Sequence, residues 1–355
     1  MLKIKKNSND IFTLNKLKKN NLEIKLVQKF IDKNFKKNHI LSKNKKVFDW
    51  LYYNNYEKKY NFIIEQKNTR IISFLGIVKN SKFSKKLKKN ESVWFATWVA
   101  KKNEIGAGLK LLSHAIKNYT YIKIGTIGYQ DNVKQFYKYL GFFTGHLTQY
   151  YISNSKNKNN KIIQKKKDFI KKIKTNTYGK SINLKIVKTI NFNKFRHNKH
   201  KYIKLFSKDE NFFRNKYLRN PFYNYVVYEF RINKKLQGYY FTREAKYKNS
   251  KCLRIVDYFG NINSLFRSSV GFNQIIEDKN YEFVDMFFFT NSNFKINQCK
   301  FKKNNYKNNL IIPNFFEPFV KKNIKINFAI LTKKVNKFFL FKGDCDQERP
   351  NILRS

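Results

Sequence analysis

The chain has 355 residues, too many for one small domain, and its 41% hydrophobic and 17% aromatic residues exclude global disorder. Lysine and arginine number 76 against 23 acidic residues, a net charge of +53. That excess has two readings: a polyanion binder, or a compositional bias, since it is mostly lysine beside abundant Asn, Ile, Phe and Tyr and is spread evenly. Either way, non-specific association with nucleic acid is expected at low salt.

The three cysteines, Cys252, Cys299 and Cys345, are far apart and odd in number, which argues against a disulfide framework and fits a reducing compartment. No apolar run reaches the length of a membrane span, and MLKIKKNSNDIF has no apolar core behind its lysines. A cytoplasmic, soluble protein is expected. No P-loop occurs, nothing around Ser113 and His114 forms a G-x-S-x-G elbow, and His197-x-x-His200 has no Cys or carboxylate beside it. No metal is expected.

In chain order, residues 1–20 are a loose arm or a first short strand. Leu26, Val27, Phe30, Ile31 and Phe35 trace one helical face, and a second helical piece lies around Lys46–Tyr53. Tyr60–Glu65 and Arg70–Val78 alternate across a polar QKNT turn, the pattern of a hairpin. Ser92–Ala100 (SVWFATWVA) has the composition of a strand buried on both faces. A loop with Gly106 and Gly108 follows, then a helix with Leu109, Leu112, Ala115 and Ile116 on one face. Two glycines between strand and helix let backbone approach a ligand, and the first helical N–H groups favour an anion. Tyr121–Gly128 is the next strand, Asp131–Leu140 a helix, Gly141 its stop, and Phe142 opens a further strand.

At this point the sequence resembles the GNAT acetyltransferase superfamily. The family's cofactor motif, Gln/Arg-x-x-Gly-x-Gly/Ala, stands here as Asn103-Glu104-Ile105-Gly106-Ala107-Gly108, with Asn103 in place of the usual Gln or Arg. Its next motif, an Asn, a Tyr five residues on and then Gly-Phe, matches Asn132, Tyr137, Gly141 and Phe142. The resemblance spans about 130 residues. It implies an α/β (α+β) fold with a mixed, mostly antiparallel central sheet flanked by helices.

Residues 152–182 are Ser/Asn/Lys-rich, the composition of an exposed basic linker, with a short basic helix at Ile162–Ile173. From Asn183 the rhythm repeats: an edge strand INLKIVKTI, a helix passing through Pro221 into an aromatic strand, then strands at Leu236–Arg243 and Leu253–Phe259. A helix at Asn263–Glu277 and a strand at Glu282–Phe289 follow. Two tandem GNAT-like domains are therefore expected, 1–151 catalytic and 183–355 degenerate, joined by the linker 152–182. The second has no Gly-x-Gly at its helix start, which assigns it to substrate binding or scaffolding. FKINQCKF (294–301) resembles a remnant of the second motif. The tail carries Asp344, Asp346 and Glu348, an acidic cluster that either holds a divalent ion, faces an amino-sugar acceptor, or pins the tail to the lysine-rich surface. This tail, FFLFKGDCDQERPN (338–351), and the aromatic block around Pro221 also resemble, more weakly, two-domain GNAT-like proteins of bacterial surface-polysaccharide gene clusters.

The resemblance implies direct acyl transfer from acetyl-CoA, or another acyl-CoA, to an amine or hydroxyl of a sugar or sugar nucleotide. Backbone N–H groups of Ile105–Gly108, within the loop from Asn103 and Glu104, would hold the pyrophosphate. The strand edge at Trp98, Val99 and Ala100 would pair with the pantetheine. Asn132 would cap its helix or touch the cofactor, and Tyr137 would protonate the departing thiolate. The first choice of general base is Glu91, with Glu65 behind it. Two further readings are a non-catalytic polyanion-binding protein on a degenerate scaffold and an aminoacyl-tRNA-dependent transferase. The intact Gly106 and Gly108 argue against the latter.

Overall fold

A computed structural model of the chain describes residues 10–13, 21–118, 121–157, 160–165, 181–195, 206–292, 299–306, 310–333 and 338–352. The first half opens with β1 (Asp10–Thr13), α1 (Asn21–Asn34), α2 (Ile40–Lys43) and α3 (Lys45–Tyr52). Next come β2 (Phe62–Lys67), β3 (Arg70–Lys79), β4 (Ser92–Ala100), α4 (Ala107–Asn118), β5 (Lys123–Tyr129), α5 (Lys134–Tyr139) and β6 (Phe143–Ser153). The second half contains β7 (Ile182–Val187), β8 (Tyr225–Ile232), β9 (Lys235–Tyr247), β10 (Ser250–Gly260), α6 (Ser269–Asp278) and β11 (Phe283–Thr290). It ends with β12 (Ile326–Thr332) and β13 (Phe339–Phe341).

These strands form one 14-stranded mixed sheet in the order β1-β2-β3-β4-β5-β12-β6-β11-β10-β9-β8-β7, with β13 against β11 and residues 302–303 against β6. Only the pairs β4–β5 and β10–β11 are parallel; the rest are antiparallel. The alternation of strand side chains divides the first half's core. Ile64, Phe74 and Trp94 pack on the α1–α3 side, while Ile63, Leu75 and Phe95 pack with Leu111, Leu112 and Ala115 of α4 on the other. The fold class expected from the sequence is the one observed.

The two halves exchange strands. β12, from the C-terminal part, lies between β5 and β6 of the first half. β6 in turn pairs with β12 over residues 143–147 and with β11 over residues 148–153. Neither half therefore completes its sheet from its own residues. Among the described residues no helix is long and apolar enough to cross a membrane.

Three local expectations change. The described start of the expected basic helix, residues 160–165, is not helical: Ile162 and Ile163 are buried, and the N–H groups of Lys161, Ile162 and Ile163 donate to the Glu282 carboxylate at 2.5–3.0 Å. A buried carboxylate needs donors, and an extended segment supplies three in succession. The rest of that helix, together with His197, His200 and most of 294–301, lies outside the described residues. The expected helix 263–277 begins as a 3₁₀ turn over Ile262–Ser268 before α6, and α2 is an extra short helix capped by His39.

Candidate active site

β4 and β5 are in register over only three pairs, Ser92 with Lys123 through Trp94 with Gly125. The reason they part is local. Opposite Leu75 and Gly76 the ladder with β3 jumps from Ala96 to Trp98, leaving Thr97 as a bulge residue at φ 55°. A β-branched residue there is strained, and a bulge bends its strand. Past the bulge β4 stays bonded to β3 on one edge, while its other edge faces a cleft of about 430 Å³. The cleft walls are Phe95–Ala100 of β4, Thr126–Gln130 of and just after β5, and Asn132, Val133 and Tyr137. Asn34 and Phe35 at the end of α1, with Asp346, Gln347 and Arg349 of the tail, complete it.

The glycine loop packs on Trp98 and Ala100 of the cleft's β4 wall, without itself lining the cleft. Gly106 has φ +80°, a conformation an L side chain rarely adopts, and α4 starts at the next residue. Gly108 is needed for a different reason: a Cβ there would come within 3.2 Å of Trp98 Nε1 and 3.3 Å of Ala100 Cβ. Trp98 Nε1 donates to the Gly108 carbonyl at 3.0 Å, tying the loop to the strand. Ala107 N–H is turned inward to Glu104 O (3.2 Å), so Gly108 and Leu109, in the first helical turn, supply the free donors. No acidic residue occupies that turn. Ile105 and Asn103 are exposed, and Glu104 pairs with Lys67 at 3.3 Å.

Tyr137 is buried between Trp98, Tyr129 and Phe142, with ring centroids at 6.0, 4.9 and 5.2 Å. Burial pushes its phenol well above the usual range, with the Thr126 hydroxyl partly opposing, so it holds its proton at neutral pH. Tyr129 is pushed up to about 12 by burial and by the Asp131 charge, and its buried hydroxyl has no partner among the described residues. Asn132 faces the cleft but caps no helix: Gln130 and Val133 hold the cap positions, neither with a side-chain bond.

Neither expected base reaches the cleft. Glu91 precedes the end of β4 that is still paired with β5, roughly 20 Å along the strand from the bulge. There it accepts from Ser207 Oγ (2.7 Å) and Lys123 Nζ (3.2 Å). Burial would raise its pKa, but those two donors hold it below the usual range. Glu65 is buried against Lys110 (2.9 Å) and Ser73 (3.0 Å). The carboxylate that does line the cleft is Asp346, a residue sequence reasoning placed only within an acidic cluster.

The tail explains how it gets there. β13 enters the gap where β10 and β11 part, pairing Phe339–Phe341 with Phe288–Thr290, so the second half's splay is filled by the chain itself. Asp344 then pairs with buried Lys208 (2.5 Å), which also holds Asp257 (2.8 Å); the two carboxylates outweigh burial and raise the lysine pKa. Gln347 Nε2 donates to Ile127 O (2.9 Å), Arg349 holds Asp346 (3.1 Å), and Glu348 pairs with Arg243 (3.0 Å) and Lys342 (3.4 Å). The acidic cluster thus pins the tail to buried cations, not to the lysine-rich surface.

Each half thus has a parallel strand pair that splays before a helix, the repeated α/β arrangement expected from the sequence. No family model and no curated protein matches the sequence. Among solved structures, the chain is similar to a candidate acetyltransferase from Pyrococcus horikoshii (11% identity, 94% of this chain and 92% of that one, TM-score 0.45). It is also similar to a GCN5-related N-acetyltransferase from Kribbella flavida (10%, 91% and 71%, TM-score 0.45). A third is a tandem GNAT protein from the clavulanic acid biosynthesis pathway (8%, 78% and 83%, TM-score 0.36).

Proposed function

We propose that the chain is an acyl-CoA-dependent N- or O-acyltransferase working in the first-half cleft, on the amine or hydroxyl of a sugar-class acceptor. The observation that carries this reading is the splay: an unpaired strand edge and a neutral phenol line one cavity, and a glycine loop with a helix start packs against that strand edge. On this reading, Gly108 and Leu109 N–H groups, within the loop Asn103–Gly108, hold the pyrophosphate against the helix dipole. The free edge at Trp98, Val99 and Ala100 takes the pantetheine amides, and Asn132 lies beside them. The acceptor heteroatom attacks the thioester carbon and gives up its own proton to solvent as the new bond forms and the carbon–sulfur bond breaks, while Tyr137 gives its proton to the leaving thiolate. The phenol is recharged from solvent.

The test is acetyl-CoA binding by calorimetry in roughly 0.3 M salt, where non-specific attraction to this basic surface is screened. The wild type is expected to bind and Gly108→Glu to lose binding, because its carboxylate enters the anion site. A folded wild type that gives no heat sinks the reading.

A further inference from the structure

The cleft opens between β4 and β5, and its walls come from both faces of the sheet. Phe95, Trp98, Tyr129 and Tyr137 belong to the layer that packs with α4, whereas Ala96, Val99 and Ile127 belong to the layer under α1–α3, the side from which Asn34 and Phe35 reach the cleft. We infer that the acceptor of the transferase proposed above enters on the α1 side, that it is an uncharged sugar ring acylated on a hydroxyl, and that Phe35 and the Asp346–Arg349 ion pair recognise it. The inference rests on that reading of the cleft.

Charge argues for an uncharged molecule. In a chain with 76 lysines and arginines, the cleft wall holds one basic side chain among the described residues, Arg349, and one acidic, Asp346. The two are paired at 3.1 Å. His39 beside them adds no charge at neutral pH: burial first and Arg349 next lower it to about 4, with Asp346 opposing. Its ring stands edge-on to Phe35, centroids 5.0 Å apart, which sets Phe35 and the ion pair at the same end of the cleft. A balanced pair offers no net counter-charge to a phosphate, a carboxylate or an ammonium brought out of water.

Balanced charge still leaves hydrogen bonds to be made. Arg349 Nε donates to Asp346 Oδ2 and Nη1 to Asn351 Oδ1 at 2.8 Å, while Nη2 has no hydrogen bond among the described residues. Asp346 Oδ1 has only the Cys345 thiol and a long contact from Gln347 Nε2, both at 3.4 Å. The pair therefore carries a spare donor and a spare acceptor side by side. An alcohol both donates and accepts, so two hydroxyls on neighbouring carbons match the pair, with charge-assisted bonds. Phe35 is 44% exposed although it lines the cleft, and its ring gives the C–H face of a pyranose an aromatic surface to stack on. The acceptor oxygen forms the ester bond as the carbon–sulfur bond breaks. Its proton leaves to solvent, and the thiolate takes the Tyr137 proton, which solvent replaces, so the sum is ester and thiol with no net proton. Because the ion pair belongs to the C-terminal tail, the half without a glycine loop supplies acceptor recognition.

The experiment follows CoA release from acetyl-CoA by the full chain with the methyl glycosides of glucose, galactose and mannose, each beside its 6-phosphate and its 6-carboxylate, with acetyl-CoA binding measured separately by calorimetry. Turnover is expected with at least one neutral glycoside, at a kcat/KM at least tenfold above both of its charged forms. Phe35→Ala is expected to raise acceptor KM at least tenfold, with kcat and acetyl-CoA affinity within threefold of wild type, and Phe35→Tyr, which keeps the ring, to stay within threefold throughout. Arg349→Gln leaves Asp346 without its counter-charge and is expected to shift the ratio of kcat/KM between the neutral glycoside and the matching amino sugar at least tenfold toward the amino sugar. Acetyl-CoA binding with no turnover of any neutral glycoside, equal use of the charged forms, or an unchanged acceptor KM in Phe35→Ala overturns the inference and leaves the cofactor cleft standing. Absence of acetyl-CoA binding in the wild type overturns both.

Discussion

Replacing Glu348 by Gln isolates the tail's anchoring from its chemistry. The carboxylate is 3% exposed and serves two cations, Arg243 and Lys342, that are themselves buried. Burial would raise its pKa, but Arg243, Lys342 and Arg254 hold it below the usual range. Removing its charge strands both cations, and uncompensated buried charges of this kind cost about 3–5 kcal/mol. The cost depends on pH through Lys342. In the wild type, burial first and Arg254 next lower that lysine to about 8, with Glu348 opposing. Without Glu348 its pKa falls further. Below the variant's lysine pKa both proteins carry the proton and the full deficit shows. Between that value and about 8 only the variant's folded state has shed it, so the variant gains stability with rising pH and the deficit shrinks by about 1.4 kcal/mol per pH unit. Arg243 stays charged throughout, so a residue of the deficit remains. Urea denaturation at about pH 5.5 and pH 8 measures both parts. A deficit under about 1 kcal/mol at both values, or the same deficit at both, refutes the reasoning.

Gly106→Ala is expected to cost about 1–2 kcal/mol by forcing an L side chain to positive φ. Nothing lies within 4 Å of its Cβ, so the cost is backbone strain alone, read from the urea midpoint with an unchanged m-value. Tyr137→Phe keeps the ring contacts with Trp98, Tyr129 and Phe142 and removes only the proton donor. Its kcat is expected to fall about 10²-fold, with acetyl-CoA affinity unchanged by calorimetry. Full activity would move the donor role to Tyr129.

What was legible in the sequence was local. The run SVWFATWVA coincides with β4 because a strand buried on both faces is uniformly apolar. The QKNT turn was legible because its Asn68 and Thr69 adopt positive φ between two alternating runs, and the glycine pair because each glycine answers a separate local demand. What was not legible depends on pairings across nearly the whole chain. β12 reads as an ordinary apolar strand, and nothing in INFAILT says that its partners are β5 and β6, some two hundred residues earlier. Glu91 was placed by nearness in sequence to β4, but the strand carries it to the closed end of the splay, where Lys123 and Ser207 take its charge. Asp346 left a trace, an acidic cluster in a basic chain, yet its position depends on a tail path that only the three-dimensional pairing defines.

That path also accounts for the asymmetry between two similar halves. Each has a parallel pair in register for three residues before it opens, β4–β5 and β10–β11. A splayed pair exposes unpaired backbone, and buried backbone must find partners. In the second half β13 provides them, and Asp257, at the mouth of that splay, is neutralised by Lys208 and bonded by Tyr217 at 2.9 Å. The same segment then runs on for only a few residues and meets the first splay with side chains instead of a strand, Gln347 reaching Ile127 O. Filling one opening with backbone thus fixes how far the tail can travel. At the other opening it contributes only side chains to the wall, Asp346 and Gln347 among them, and the β4 edge stays free.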